Sequence, residues 1–158
     1  MVNPPARYEP DFPLPAMAYV PGITPRRGTS LEGESPARLF RLGADLFNHG
    51  FYWESHEAWE AVWHAEGRAG DRAILIRGLI HLAACGVKAR QGSLHGTMAH
   101  AKKSWMLLKQ VREDHGLASR RELEEQAGKV AETANRFLCL RQENVVIVFD
   151  FRIELSRG

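Results

Sequence analysis

Seven of the eight prolines in this 158-residue chain fall within its first 25 residues, at positions 4, 5, 10, 13, 15, 21 and 25. Each fixes φ near about −65° and removes a backbone donor, so helix cannot run through this stretch. Phe12, Leu14, Met17, Tyr19 and Val20 are nonetheless apolar. The reading is an extended arm that lies on a domain, followed by a mobile loop over Arg26-Arg27-Gly28-Thr29-Ser30. The eighth proline, Pro36, follows Ser35. Serine as N-cap and proline in the first helical position make a sound helix start, because the missing N–H would have no partner there anyway.

Helical periodicity then dominates. Leu39, Phe40, Leu42, Leu46 and Phe47 recur at helical spacing up to Gly50. A second helix covers about residues 51–66 and stops at Gly67. Asp71 reads as the N-cap of a third, whose Ile74, Leu75, Leu79, Ile80, Leu82, Ala83, Ala84 and Val87 make it apolar nearly all round and central. Gly92-Ser93 breaks it and caps a fourth helix bearing Met98, Trp105, Met106, Leu108 and Val111. Ser119 and Glu122 form a capping box at the head of a fifth, running to about Arg141. Val145 to Leu155 changes period: Phe149, Phe151, Ile153 and Leu155 alternate with Asp150, Arg152 and Glu154, as in a strand. The fold expected is all-α, a multihelical array of about five helices with a proline-rich N-terminal arm and a short C-terminal strand. Its divisions are an arm and loop over 1–34, a helical domain over 35–142 and an extended tail over 143–158. A lone strand needs a backbone partner. The arm's prolines leave few donors, so the tail predicts a homodimer joined through a second copy of itself.

Composition excludes more than it names. Hydrophobic content of 44% and charged content of 25% are those of a globular domain rather than a disordered chain. A net charge of +2 gives no basic field, and no helix-turn-helix or finger signature accompanies the lysines of the fourth helix, so nucleic acid is not an expected partner. Cys85 and Cys139 sit in apolar helical stretches and read as reduced core residues of a cytoplasmic protein. The chain opens without a signal-like pattern, and no run approaches the roughly 20 apolar residues of a membrane span.

The informative segment lies on the second helix. His56 and Glu60 are four apart, Trp63 is seven from His56 and Trp53 precedes it by three, so all four share one face. Burying an imidazole and a carboxylate among tryptophans costs several kcal/mol unless they find partners. A hydrogen-bonded structural pair and a ligand or metal site both meet that requirement. An i, i+4 His–Glu pair can also grip one cation, with His81 on the central helix or His64 as a further ligand, and zinc, manganese or nickel as the ion. The zinc-peptidase pattern H-E-x-x-H fails at its last position, where Glu60 stands.

This H-x-x-x-E-x-x-W pattern, His56, Glu60 and Trp63, resembles the bacterial and archaeal domain of unknown function family 309. The glycine-containing helix around Arg77-Gly78-Leu79-Ile80-His81, the upstream Tyr19-Val20-Pro21-Gly22 and the downstream Arg90-Gln91-Gly92 and His95-Gly96 are similar to further features of that family. The resemblance spans about residues 19–112. It implies a small multihelical array whose motif is functional and metal-binding. Pro25-Arg26-Arg27 departs from the family pattern, which has a histidine after the proline, so a site using that histidine is incomplete here or uses another ligand.

Three functions remain. One is a helical protein whose His56, Glu60, Trp63 and Trp53 bind a divalent metal or a small polar ligand. The second is a non-catalytic interaction module in which the His–Glu pair is structural. The third, and weakest, is a metal-assisted hydrolase, which needs three protein ligands and an open position.

Overall fold

The computed structural model describes residues 5–26, 30–140 and 143–157. The expected loop residues Arg27, Gly28 and Thr29, and the expected helix end at Arg141, lie outside them. Five helices follow one another: α1 (Pro36–Asn48), α2 (Tyr52–Ala65), α3 (Asp71–Arg90), α4 (Leu94–Gln110) and α5 (Arg120–Glu132). Each packs on its neighbour in sequence, α1 on α2, α2 on α3, α3 on α4 and α4 on α5. The protein is an all-α multihelical array.

Local chemistry explains the boundaries. Ser35 Oγ accepts from Arg38 N, with Pro36 in the first turn. Ser93 Oγ caps α4 at Gly96 N, and Ser119 Oγ caps α5 at Glu122 N. Asp71 behaves differently from its expected role as a cap. It is the first residue of α3, and its carboxylate accepts from Arg112 N, Glu113 N and His115 Nε2, the last at 2.6 Å, so it ties the end of α4 to the start of α3. Helix α5 ends at Glu132, about two and a half turns earlier than the apolar spacing suggests. There the Thr133 hydroxyl donates to Lys129 O, and a 3₁₀ turn over Ala134–Phe137 brings Cys139 N back to Ala89 O at 2.9 Å.

Close helix contacts are made where one helix carries glycine. A β-carbon at Gly43 would meet Trp59 Nε1 at 2.2 Å, one at Gly86 would meet the Tyr52 ring at 2.4 Å, and one at Gly78 would meet Leu108 at 2.9 Å. Polar bonds fix two of these crossings: Ser55 Oγ donates to Gly43 O and Ser104 Oγ to Gly78 O, at 2.8 and 2.7 Å. Trp59, wholly buried, donates its indole N–H to Phe40 O at 3.1 Å.

The tail corrects the expected strand. Among the described residues there is no strand, only one antiparallel bridge between Leu117 and Leu155. The alternating residues do bury: Phe149, Ile153 and Leu155 enter the core, and Phe149 stacks on Phe47 at 5.4 Å. The backbone partners come from this same chain. Asn48 grips Ile153 from both sides, donating to its carbonyl and accepting from its N–H at 3.0 and 2.7 Å. Val148 N donates to Tyr52 Oη, Leu155 N to Tyr8 Oη, and Ser156 N to Gly116 O. These bonds give the tail partners within its own chain, so the strand argument no longer calls for a second copy.

The Gly43 contact predicts that Gly43→Ala lowers unfolding free energy by about 1–3 kcal/mol in chemical denaturation, since the Trp59 ring has no space to retreat. Asn48→Ala leaves the Ile153 peptide groups unpaired and is expected to cost about 1–3 kcal/mol. Amide exchange that accelerates at Ile153 ahead of the helical core checks the second.

Candidate functional site

Helix α2 turns by about 100° per residue, and Trp59 fixes which side meets α1. His56, Glu60 and Trp63 then lie along the edge that faces α3. They line one cleft with Arg77, His81 and His100, about 260 Å³ in volume. His56 and His100 also border an adjoining lobe of about 290 Å³, walled by Trp53, Pro21, Val87 and Lys88. The arm builds part of that second lobe. Tyr19 N donates to Glu54 Oε2 at 3.0 Å, Tyr19 packs edge-on to Trp53 with ring centres 5.1 Å apart, and Gln91 Nε2 donates to Pro21 O.

Within the cleft, His56 Nε2 and Glu60 Oε1 stand 3.5 Å apart, with side chains 22% and 45% exposed. That is a loose pair at a rim, and an exposed pair of this kind contributes little stability. The Trp53 and His56 rings lie 5.6 Å apart and tilted by 31°. His81, on the central helix, finds His100 on α4, their Nδ1 atoms 3.0 Å apart with one ring donating and the other accepting. Trp53 Nε1, Trp63 Nε1 and His56 Nδ1 are buried with no hydrogen-bond partner.

Burial, the neighbouring His100, Arg77 and Lys103 charges and His56 together push the His81 pKa down to about 4. Burial, with Lys88 and His56, lowers that of His100. Both rings are held neutral near pH 7.

His64, an expected metal ligand, is not brought to this cleft. Each i+4 step advances about 40° around a helix, so two steps from His56 carry His64 about 80° away. It is exposed, with Arg68 at its ring nitrogen. His100 is the residue the sequence reading missed. The spacing gave no signal for it: His81 lies eleven residues before Gly92 and His100 seven after Ser93, so the two are not at matching distances from the turn. Among the described residues, no group of three or more His, Cys, Asp or Glu side chains stands close enough together to hold a metal ion. Cys85 lies buried against Thr97 O, its thiol pushed up to about 12 by burial, and neither described cysteine is in a disulfide. No helix among the described residues is long and apolar enough to cross a membrane.

The family model described as Domain of unknown function (DUF309) matches residues 40–99. Over these residues the chain is similar to that family. The match is shorter than the stretch of resemblance along the sequence and leaves out the arm. The DUF309 segment carries α2, α3 and the start of α4, and His100 lies one residue beyond it. No curated protein matches the chain.

The depressed His81 pKa fixes the sign of a pH effect. Unfolded, His81 takes up a proton near its ordinary value of 6.5, whereas in the fold it does so only near 4. Between those values the unfolded state binds more protons, so this group's contribution is fully present above pH 6.5 and declines as pH falls towards 4. The stability of the wild-type protein relative to His81→Gln is expected to drop across that window. Thermal melts of the two proteins from pH 7 to 4.5 check it, alongside a His81 ring resonance that stays neutral at pH 5.5.

Proposed function

We propose that the cleft between α2, α3 and α4 binds a small polar ligand, with His56, Glu60, Trp63 and Trp53 as its contacts from α2 and His81 and His100 opposite. The observation that carries this reading is the set of three unpartnered buried nitrogens, Trp53 Nε1, Trp63 Nε1 and His56 Nδ1, on side chains that line the two lobes. Each such group costs about 1–3 kcal/mol while it lacks a partner. Elsewhere the buried polar side chains of α1 earn their place: Asp45 accepts from Tyr8 N and Glu9 N, and Asn48 from Ile153 N. The loose His56–Glu60 contact supports the same reading, because a pair 3.5 Å apart with a half-exposed carboxylate is a poor structural lock.

A divalent ion fits less well. His56 and Glu60 are two ligands on one helix, His64 points elsewhere, and His81 pairs with His100 rather than with Glu60. A zinc centre needs at least three protein ligands at about 2.0–2.2 Å. The reading assigns binding and no reaction.

Nuclear magnetic resonance with the full chain tests it. The Trp53 and Trp63 indole N–H resonances are the reporters, and the probes are a mixed set of anionic, cationic and neutral polar fragments, with zinc, manganese and nickel chlorides as separate arms. Binding by a fragment is expected to shift both indole signals in wild-type protein and to be lost in His56→Ala, while His95→Ala, on the exposed start of α4, binds normally. A set of fragments that leaves both indoles unmoved overturns the reading. Stoichiometric metal binding without fragment binding replaces it with the metal site.

A further inference from the structure

The donors and acceptors around the cleft are unequal. Trp53 and Trp63 each offer an indole N–H, a group that can only donate, and neither nitrogen has an acceptor in the fold. Their shortage does not depend on how any histidine is protonated. Arg77 lines the first lobe and Lys88 the second, and both are donors without acceptor capacity. Lys103, on α4, adds a third positive charge close enough to act on His81. Against these stands one acidic side chain, Glu60, at the rim and 45% exposed. A neutral ligand would leave the cationic walls uncompensated, and a metal ion would meet repulsion from Arg77, Lys88 and Lys103.

The remaining walls are mostly apolar, with the Gln91 amide the exception in the second lobe. Ile80 and Ala84 line the first lobe, and Ala84, Val87 and Pro21 the second. The two lobes share His56, Ala84 and His100, so they meet at the histidines. A second hollow on the molecule is larger, about 350 Å³, and lies between α5 and the tail. Its charged lining is Glu122, Asp150, Glu154 and Arg152, mostly acidic, and no unpartnered buried atom belongs to it.

We propose that the ligand of the α2–α3–α4 cleft is a small oxyanion, a carboxylate or phosphate group drawn in by the positive charges of Arg77 in the first lobe and Lys88 in the second, beside the Trp63 and Trp53 indoles of those lobes, with any apolar body of the molecule against Val87 and Pro21. The inference rests on the proposed binding function and goes further by fixing the charge and hydrogen-bonding sense of the ligand. An oxyanion brings several acceptor lone pairs and no need for a donor, which is what the walls lack. Its charge-assisted bonds to Arg and Lys are the stronger kind.

Calorimetric titration of the full chain with sodium phosphate, sodium benzoate and zinc chloride, at constant ionic strength, tests the proposal. Saturable binding of phosphate or of benzoate is expected, and which of the two binds distinguishes a phosphate source from a carboxylate one. Arg77→Gln and Lys88→Gln should each weaken it by roughly tenfold, the loss of one charge-assisted hydrogen bond. Arg77 is exposed and Lys88 half-buried, so both variants should fold, as circular dichroism can verify. Two results overturn the oxyanion: anion binding unchanged in both variants, or zinc or a cationic fragment binding while neither anion does. In the second case the cleft remains a binding site of opposite sign. An absence of all binding, in these titrations and in the fragment set, removes both readings together.

Discussion

The packing of Trp59 on Gly43 sets the rotation of α2, and the rest of the site depends on that rotation. The indole fills the space where a β-carbon of α1 would stand and donates to Phe40 O, while Ser55, one turn earlier, donates to Gly43 O. Two hydrogen bonds and one close approach on neighbouring positions leave α2 a single orientation about its axis. His56 lies about 60° round from Trp59, so its stripe falls on the border between the face buried on α1 and the solvent. That border is closed by α3. The second close approach, Tyr52 on Gly86, holds the N-terminal end of α2 against α3 and so sets how far apart the walls of the cleft stand.

The irregular segments at the two ends of the chain are held by the same device. The arm and the tail supply only part of their own hydrogen bonds, and α1 and α2 offer buried polar side chains for others. Asp45 takes the Tyr8 and Glu9 amides, Glu54 the Tyr19 amide, Asn48 the Ile153 peptide groups and Tyr52 the Val148 amide. Burial raises the pKa of Glu54 despite the amide it accepts, so this carboxylate is held at some cost. Glu9 in turn bridges Arg38 and Arg41 on α1. These polar groups have identifiable structural work. The unpartnered nitrogens of the cleft, by comparison, anchor no segment of backbone.

Much of this was legible in the sequence. The helices follow from apolar spacing interrupted by Gly50, Gly67, Gly92 and their flanking caps, and the shared face of His56, Glu60 and Trp63 follows from the helical repeat alone. Three features were not legible, for separate reasons. His64 looked eligible because i+4 steps seem to stay on one face, yet the 40° advance per step moves it into solvent. The tail's alternation was real, but alternation reports only which side chains bury. It is silent on backbone partners, which here are the amide of Asn48 and the hydroxyls of Tyr52 and Tyr8 rather than another strand. Asp71 resembled a local cap because cap positions are recognised by neighbours in sequence, whereas its partners, Arg112, Glu113 and His115, lie some forty residues on.

The arm connects the strongest sequence constraint to the site. Prolines that forbid helix also deprive the segment of donors, so it can lie against the domain only where side chains reach its remaining groups. Glu54 and Gln91 do this on either side of Pro21, one accepting from Tyr19 N and the other donating to Pro21 O. Between those two anchors the backbone has no N–H at Pro21 to satisfy, and it can face an open lobe without a polar penalty. Tyr19 meanwhile packs edge-on against Trp53. A helix in that place would have brought side chains of its own into the lobe. An extended proline segment instead walls it with a flat apolar ring, and leaves the polar chemistry of the cleft to α2, α3 and α4.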